Sequence, residues 1–384
     1  MSRSWDVFCR VIDNYGDAAV CWRLARQLAG EHGGRVRLWI DALPALHALC
    51  PEVGEALLRQ TVERVEVCAW SDDAQFGAPA DIVIEAFGCG LPGPYVQSMI
   101  ESKPRPVWII LEYLSAEPWV VTHHGLPSPH PRLPLERHFF LPGFVPGTGG
   151  VLRESSLEPR RMAFENAPDA RADFWKRAGF GAPSAQALVV SLFGYENPAV
   201  RGFLLAWAQG TSTVVLAVPQ SRLRAEVCDF FSAGDLGDGA TLVKGRLEVR
   251  LLPFMPQPAY DELLWACDWN FVRGEDSFVR AQWARRPLVW QIYPQAERAH
   301  EVKLEAFLDH YCAGLDARLA GPLRRVWQAW NRPPNVPPAV REDWAILAES
   351  TQALRRHAGD WAAKLALPGE LALNLAQYCE ERLK

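Results

Sequence analysis

Apolar and polar positions along this chain fall into two successive series of short apolar runs separated by helically spaced stretches. In the first series, residues 5–12 have the pattern of a strand, and after a polar turn Val20, Cys21, Leu24 and Leu28 recur at the spacing of one helix face, predicting a helix over 18–28 that ends before Gly30. Strand-like runs follow at 36–40, 62–68, 81–87 and 107–114, alternating with helical stretches. Near-continuous apolar strands between amphipathic helices predict a parallel sheet covered on both faces, so the first half is Rossmann-like. Residues 114–165 are rich in Pro, His and Gly and read as loop and linker. The second series has strands at 187–193, 213–218, 248–253, 267–272 and 287–292, helices at 198–208 and 220–231, and late helices at 341–356 and 370–383. No internal repeat accompanies the shared α/β rhythm.

The expected division is an N-terminal Rossmann-like acceptor-binding domain with linker over 1–165, a C-terminal Rossmann-like nucleotide-sugar-binding domain over 166–365, and a terminal helix within 366–384 that packs back on the first. Open α/β sheets bind ligands outside the carboxyl ends of their strands. The turn after the first strand, residues 13–17, is therefore expected to face the turns at 194–198 and 273–277 across a cleft. One side would hold the acceptor and the other the donor, with Asn14, Tyr15 and Gly16 on the acceptor side.

Composition narrows the class. The chain has 384 residues, more than a usual single core, and 49% are apolar. A formal net charge of −5 gives no basic footprint for direct nucleic-acid binding. The first residues lack an apolar targeting region and no apolar run approaches the ~20 residues that span a membrane, so a cytoplasmic protein is expected. The nine cysteines include no C-x-x-C pair, and Cys9, Cys21, Cys68, Cys228 and Cys267 fall in apolar patterns, as reduced core residues do. The histidines form no H-E-x-x-H set, and the adjacent His123 and His124 suit solvated or hydrogen-bonded loop positions, so no metal is expected.

The most informative local segment is 271–280. An apolar strand stops there, Gly274 permits a sharp turn, and Asp276 or Ser277 can cap a helix whose first amides point outward and attract anions. Arg273 adds a cation and Ser277 a hydroxyl. Two carboxylates beside a phosphate site repel the ligand unless they face sugar hydroxyls, which suggests a sugar nucleotide, although an ordinary capped helix has the same local pattern. The first turn lacks G-x-G-x-x-G, which disfavours a nicotinamide cofactor, and the chain has neither a P-loop nor a D-x-D pair. Metal-free phosphate handling by helix amides and arginine remains. Asp13 and Asp17, four residues apart around Gly16, can place two carboxylates in one pocket, one as general base; equally, Asp17 can be a helix N-cap and Asp13 a loop stabiliser. Phe193 and Tyr195 flank Gly194 after one strand, and Phe254 precedes Gln257 after another. A pyrimidine could stack there with Gln257 on its polar edge, or the rings could be core packing.

Five segments together, at 8–17, 111–117, 124–129, 193–195 and 273–277, resemble the bacterial protein-arginine rhamnosyltransferases that modify translation elongation factor P, and the resemblance runs over essentially the whole chain. It implies a metal-independent glycosyltransferase of the GT-B type, with two Rossmann-like domains. It further implies dTDP-β-L-rhamnose as donor, inversion at the anomeric carbon, and an arginine of elongation factor P as acceptor. Carried onto this sequence, Asp17 is the candidate general base, Asp13 orients the guanidinium and Glu275 is a third essential carboxylate. Phe193, Tyr195, Phe254 and Gln257 resemble the thymidine site, and Arg273, Asp276, Ser277 and Tyr293 the ribose and diphosphate site. The rival readings are a sugar-nucleotide epimerase of the same architecture, and a non-catalytic module that binds a sugar nucleotide or a protein without turnover.

Overall fold

The computed structural model describes residues 3–13, 15–71, 74–294, 298–331 and 340–383, and in it the first apolar series folds into one eight-stranded sheet. Its strands are β1 (Ser4–Cys9), β2 (Arg35–Ile40), β3 (Arg59–Val62), β4 (Val65–Ala69), β5 (Ile82–Ala86), β6 (Val107–Leu111), β7 (Pro127–Pro129) and β8 (Glu136–Phe140). The order is β3-β4-β2-β1-β5-β6-β8-β7, with only β3 and β7 antiparallel to their neighbours. The central strands are buried on both faces, which is why their sequence is mostly apolar, with Glu85 a buried polar position in β5. Asp6 is the exception in β1. Its carboxylate is fully buried and satisfied by its cross-strand partner Arg37 (2.6 Å to each oxygen), the Trp39 indole (3.1 Å), the Ala80 amide (3.0 Å) and the Tyr95 hydroxyl.

Two expectations fail here for local reasons. The run 62–68 is a hairpin, because Glu63 and Arg64 take positive φ (46° and 68°) and turn the chain back between β3 and β4. Residues 114–165 are not merely linker, since they contribute β7, β8 and the Leu157–Asn166 helix. Proline conceals β7: Pro127 and Pro129 cannot donate, and an edge strand tolerates that because one side has no ladder to fill.

The second series forms a six-stranded sheet of β9 (Leu188–Leu192), β10 (Val214–Val218), β11 (Thr241–Lys244), β12 (Leu247–Leu251), β13 (Trp269–Arg273) and β14 (Leu288–Gln291). The order is β11-β12-β10-β9-β13-β14, with β11 alone antiparallel. The stretch 341–356 divides into two helices, Val340–Glu349 and Thr351–Leu365. At the break the Thr351 hydroxyl turns back onto the Ala348 carbonyl (2.8 Å) and receives the Trp269 indole N–H (3.0 Å). Met1–Ser155 with Lys364–Lys384 form one compact unit, and Ser156–Ala363 a second. All nine cysteines are buried and unbridged, and among the described residues no helix is long and apolar enough to cross a membrane.

Within the first unit the Leu371–Arg382 helix is pinned by an Arg3–Glu380 ion pair (2.7 and 3.0 Å) and by Tyr378, whose hydroxyl donates to the Gly125 carbonyl (2.8 Å). Glu370 caps this helix by accepting from the Ala372 and Leu373 amides (2.7 and 2.8 Å). Burial nevertheless outweighs those amides and, with Glu31 nearby, pushes the Glu370 acid up to about 7. A carboxyl group whose pKa is raised by folding contributes stability at low pH and loses it as pH rises through the folded value. Glu370→Gln removes that loss, so its stability relative to the parent protein should improve between pH 5 and 8 by up to about 3 kcal/mol. Denaturant titrations at both pH values check this, and a difference independent of pH would contradict it.

Candidate active site

The turn expected on the acceptor side lies between the end of β1 and the start of the Gly16–Gly30 helix. Tyr15 occupies the N-cap position without a side-chain cap, so Asp17 is not the N-cap the sequence allows. Asp17 lies in the first turn and bonds backwards: its Oδ2 accepts the amides of Ile12 (2.8 Å) and Asp13 (2.9 Å). Its Oδ1 accepts the Tyr113 hydroxyl at 3.1 Å. Asp13 and Asp17 are 8% and 2% exposed, two carboxylates brought to one buried turn. Gly16 makes this turn possible. Its amide donates to the Asp13 carbonyl at 2.6 Å, and a Cβ there would lie 2.6 Å from Asp13 Oδ2. The Cys9 thiol behind the turn is pushed well up by its hydrogen bond with Cys21, by burial and by the Asp17 charge, so it stays protonated. Asn14 lies outside the described residues.

In the second unit the carboxyl ends of the parallel strands carry the candidate donor residues. Arg273 ends β13, and its guanidinium lies 4.8 Å from the ring centroids of both Phe193 and Tyr195, which follow β9. Tyr293, after β14, meets Tyr195 edge-on at 5.5 Å. Gly274 takes φ +62°, a conformation that favours glycine, and its carbonyl accepts the Trp290 indole N–H at 2.7 Å. Glu275 occupies the N-cap position of the Asp276–Trp283 helix without a side-chain cap. Neither Asp276 nor Ser277 caps it. The buried Ser277 hydroxyl instead bonds back to the Arg273 carbonyl and accepts the Arg273 amide (3.1 Å), closing the turn on itself. Phe254 and Gln257 follow β12, two strands from β9 on the same sheet edge, with Gln257 opening the Gln257–Ala266 helix. Among the described residues no group of three or more His, Cys, Asp or Glu is placed to hold a metal ion.

Comparison with known proteins decides the family. The profile described as Elongation-Factor P (EF-P) rhamnosyltransferase EarP matches residues 5–380. The chain belongs to this family. It is similar to the protein-arginine rhamnosyltransferases of Pseudomonas aeruginosa (46% identical over 375 residues, 98% of each chain) and Pseudomonas putida (45% over 383 residues, all of each chain). A solved structure from work on EarP-mediated arginine glycosylation of translation elongation factor EF-P matches at TM-score 0.69 and 33% identity, over 99% of each chain. The protein is thus a rhamnosyltransferase built from two Rossmann-like units, the GT-B class. Membership in the EarP family sets aside the epimerase and binding-module readings.

Sequence reasoning missed several residues that shape these turns. Gln291 ends β14 and accepts the Tyr195 amide at 2.9 Å, holding the loop that carries the Phe193 and Tyr195 rings. Trp290 holds the Gly274 carbonyl. Tyr113 reaches Asp17 from beyond β6. Each belongs to a strand end that only the sheet order brings beside the turn it supports.

Proposed function

We propose that this EarP-family enzyme moves L-rhamnose from dTDP-β-L-rhamnose to one arginine side chain of translation elongation factor P, in the cytoplasm, with inversion and without a metal ion. The observation that carries the reading is the buried Asp17 carboxylate, whose Oδ2 is committed to two backbone amides. Proton transfer then falls to Oδ1. A guanidinium, with pKa above about 12, is a poor nucleophile until a carboxylate holds it and takes its proton. In the step, a guanidinium nitrogen bonds to the anomeric carbon as the carbon–oxygen bond to the diphosphate breaks. The N–H proton goes to Asp17 and the bonding pair leaves with thymidine diphosphate. Asp13 helps orient the acceptor from the Tyr15–Gly16 side of the turn, and Glu275 supplies a third carboxylate. Attack opposite the leaving group inverts the carbon.

On the donor side, Phe193, Tyr195 and Phe254 stack the thymine with Gln257 on its edge, and Asp276 and Tyr293 address the ribose and diphosphate. Arg273 and the first amides of the Asp276–Trp283 helix offset the charge that develops on the leaving diphosphate. Metal independence rests on those groups and on the missing D-x-D pair.

Intact-mass measurement of elongation factor P incubated with the enzyme and dTDP-rhamnose should show one added rhamnosyl group, and a chelator should leave the rate essentially unchanged. No added mass would sink the transfer reading. Turnover that collapses with chelator and returns with magnesium or manganese would overturn metal independence alone.

A further inference from the structure

Three adjacent strand ends, not one turn, fix the Asp17 carboxylate. β5 lies between β1 and β6 in the sheet. Past β5, Phe87 is held at φ +56°, a left-handed conformation unusual for a residue with a side chain, and its amide donates to the Leu111 carbonyl at 2.7 Å. Past β6, Tyr113 lies flat against Phe87, with ring centroids 4.3 Å apart and planes inclined by 11°. That stack aims the Tyr113 hydroxyl at Asp17 Oδ1, 3.1 Å away. The two amides on Oδ2 anchor one oxygen only. The terminal torsion of an aspartate is broad, and rotation about it moves both oxygens together. A donor on Oδ1, on the opposite side of that axis from the two amides, narrows the rotation further and directs the remaining lone pair.

We propose that Tyr113, backed by Phe87, is a positioning residue for rhamnosyl transfer: it sets the rotation of the Asp17 carboxylate so that Oδ1 presents a fixed lone pair to the acceptor guanidinium. The inference rests on Asp17 as proton acceptor. Tyr113 itself neither gives nor takes a proton. Its hydroxyl stays on Asp17 while the proton arrives on the other lone pair of Oδ1.

Tyr113→Phe tests this because it keeps the ring on Phe87 and deletes only the hydroxyl. With dTDP-rhamnose and elongation factor P as substrates, kcat and kcat/KM should fall together by about tenfold, the loss of one hydrogen bond to a charged group. KM for both substrates should stay at the parent values, and the thermal midpoint should fall by no more than the few degrees that one hydrogen bond contributes. In an Asp17→Ala background the same substitution should have no further effect, since Tyr113 acts through the carboxylate. A parent-level kcat for Tyr113→Phe overturns the proposal, as does a loss confined to KM or one that recurs in full without the Asp17 carboxylate. If Asp17→Asn is severely impaired while Tyr113→Phe is not, the positioning role alone fails. If Asp17→Asn transfers rhamnose at the parent rate, the general-base reading falls and this role falls with it.

Discussion

Asp17→Asn should lower the rate of rhamnosyl transfer by about two or more orders of magnitude while leaving binding of elongation factor P far less affected. The amide has nearly the shape of the carboxylate, and its oxygen can still accept the Ile12 and Asp13 amides, so the turn should survive the substitution. What disappears is the negative charge proposed to hold the guanidinium and the basic lone pair proposed to take its proton. Single-turnover measurement with saturating donor separates this chemical loss from weakened docking. Replacing the target arginine of elongation factor P by lysine should also abolish transfer, because a flexible ammonium does not present the planar fork that paired carboxylates fit. An Asp17→Asn enzyme working at the parent rate, or equal glycosylation of the lysine variant, would end the arginine-transfer mechanism proposed for these residues.

That experiment concerns a residue the sequence singled out for chemistry while also allowing it as a helix N-cap. Aspartate before an apolar helix reads as an N-cap, yet Tyr15 takes the cap position and Asp17 turns back to gather the amides of the preceding loop. Ser277 departs from its expected cap in the same direction, with its hydroxyl folded onto Arg273. In both cases residue type and spacing located a polar turn after a strand, while the choice of partner depended on how the chain enters it. The strands themselves were legible because parallel sheets bury both faces and leave continuous apolar runs. The exceptions are turns and edges: the Glu63–Arg64 reversal lies inside a strand-like run, and β7 begins and ends on proline. Tyr113 and Gln291 were not legible as site residues. Tyr113 is 96 residues from Asp17, and Gln291 is 96 residues from Tyr195. Only sheet order joins them, and no local pattern encodes that order.

Donor binding should separate cleanly from the acceptor chemistry. Ser277→Ala and Phe254→Ala should each weaken binding of thymidine diphosphate by about tenfold or more, for different reasons. The Ser277 hydroxyl ties both the amide and the carbonyl of Arg273. Without it the turn loosens where Arg273 lies against Phe193 and Tyr195, and where the helix amides proposed to face the diphosphate begin. Phe254 follows β12 and, on the proposed reading, contributes one stacking face for the base. Asp17 lies in the other compact unit, in a turn made by β1 and the Gly16–Gly30 helix, so Asp17→Asn should leave thymidine diphosphate affinity nearly unchanged. Titration calorimetry on the full chain compares all three variants directly. If Asp17→Asn loses as much affinity as Ser277→Ala, this aspartate belongs to the donor's surroundings, and the proton acceptor must be sought at Asp13 or Glu275.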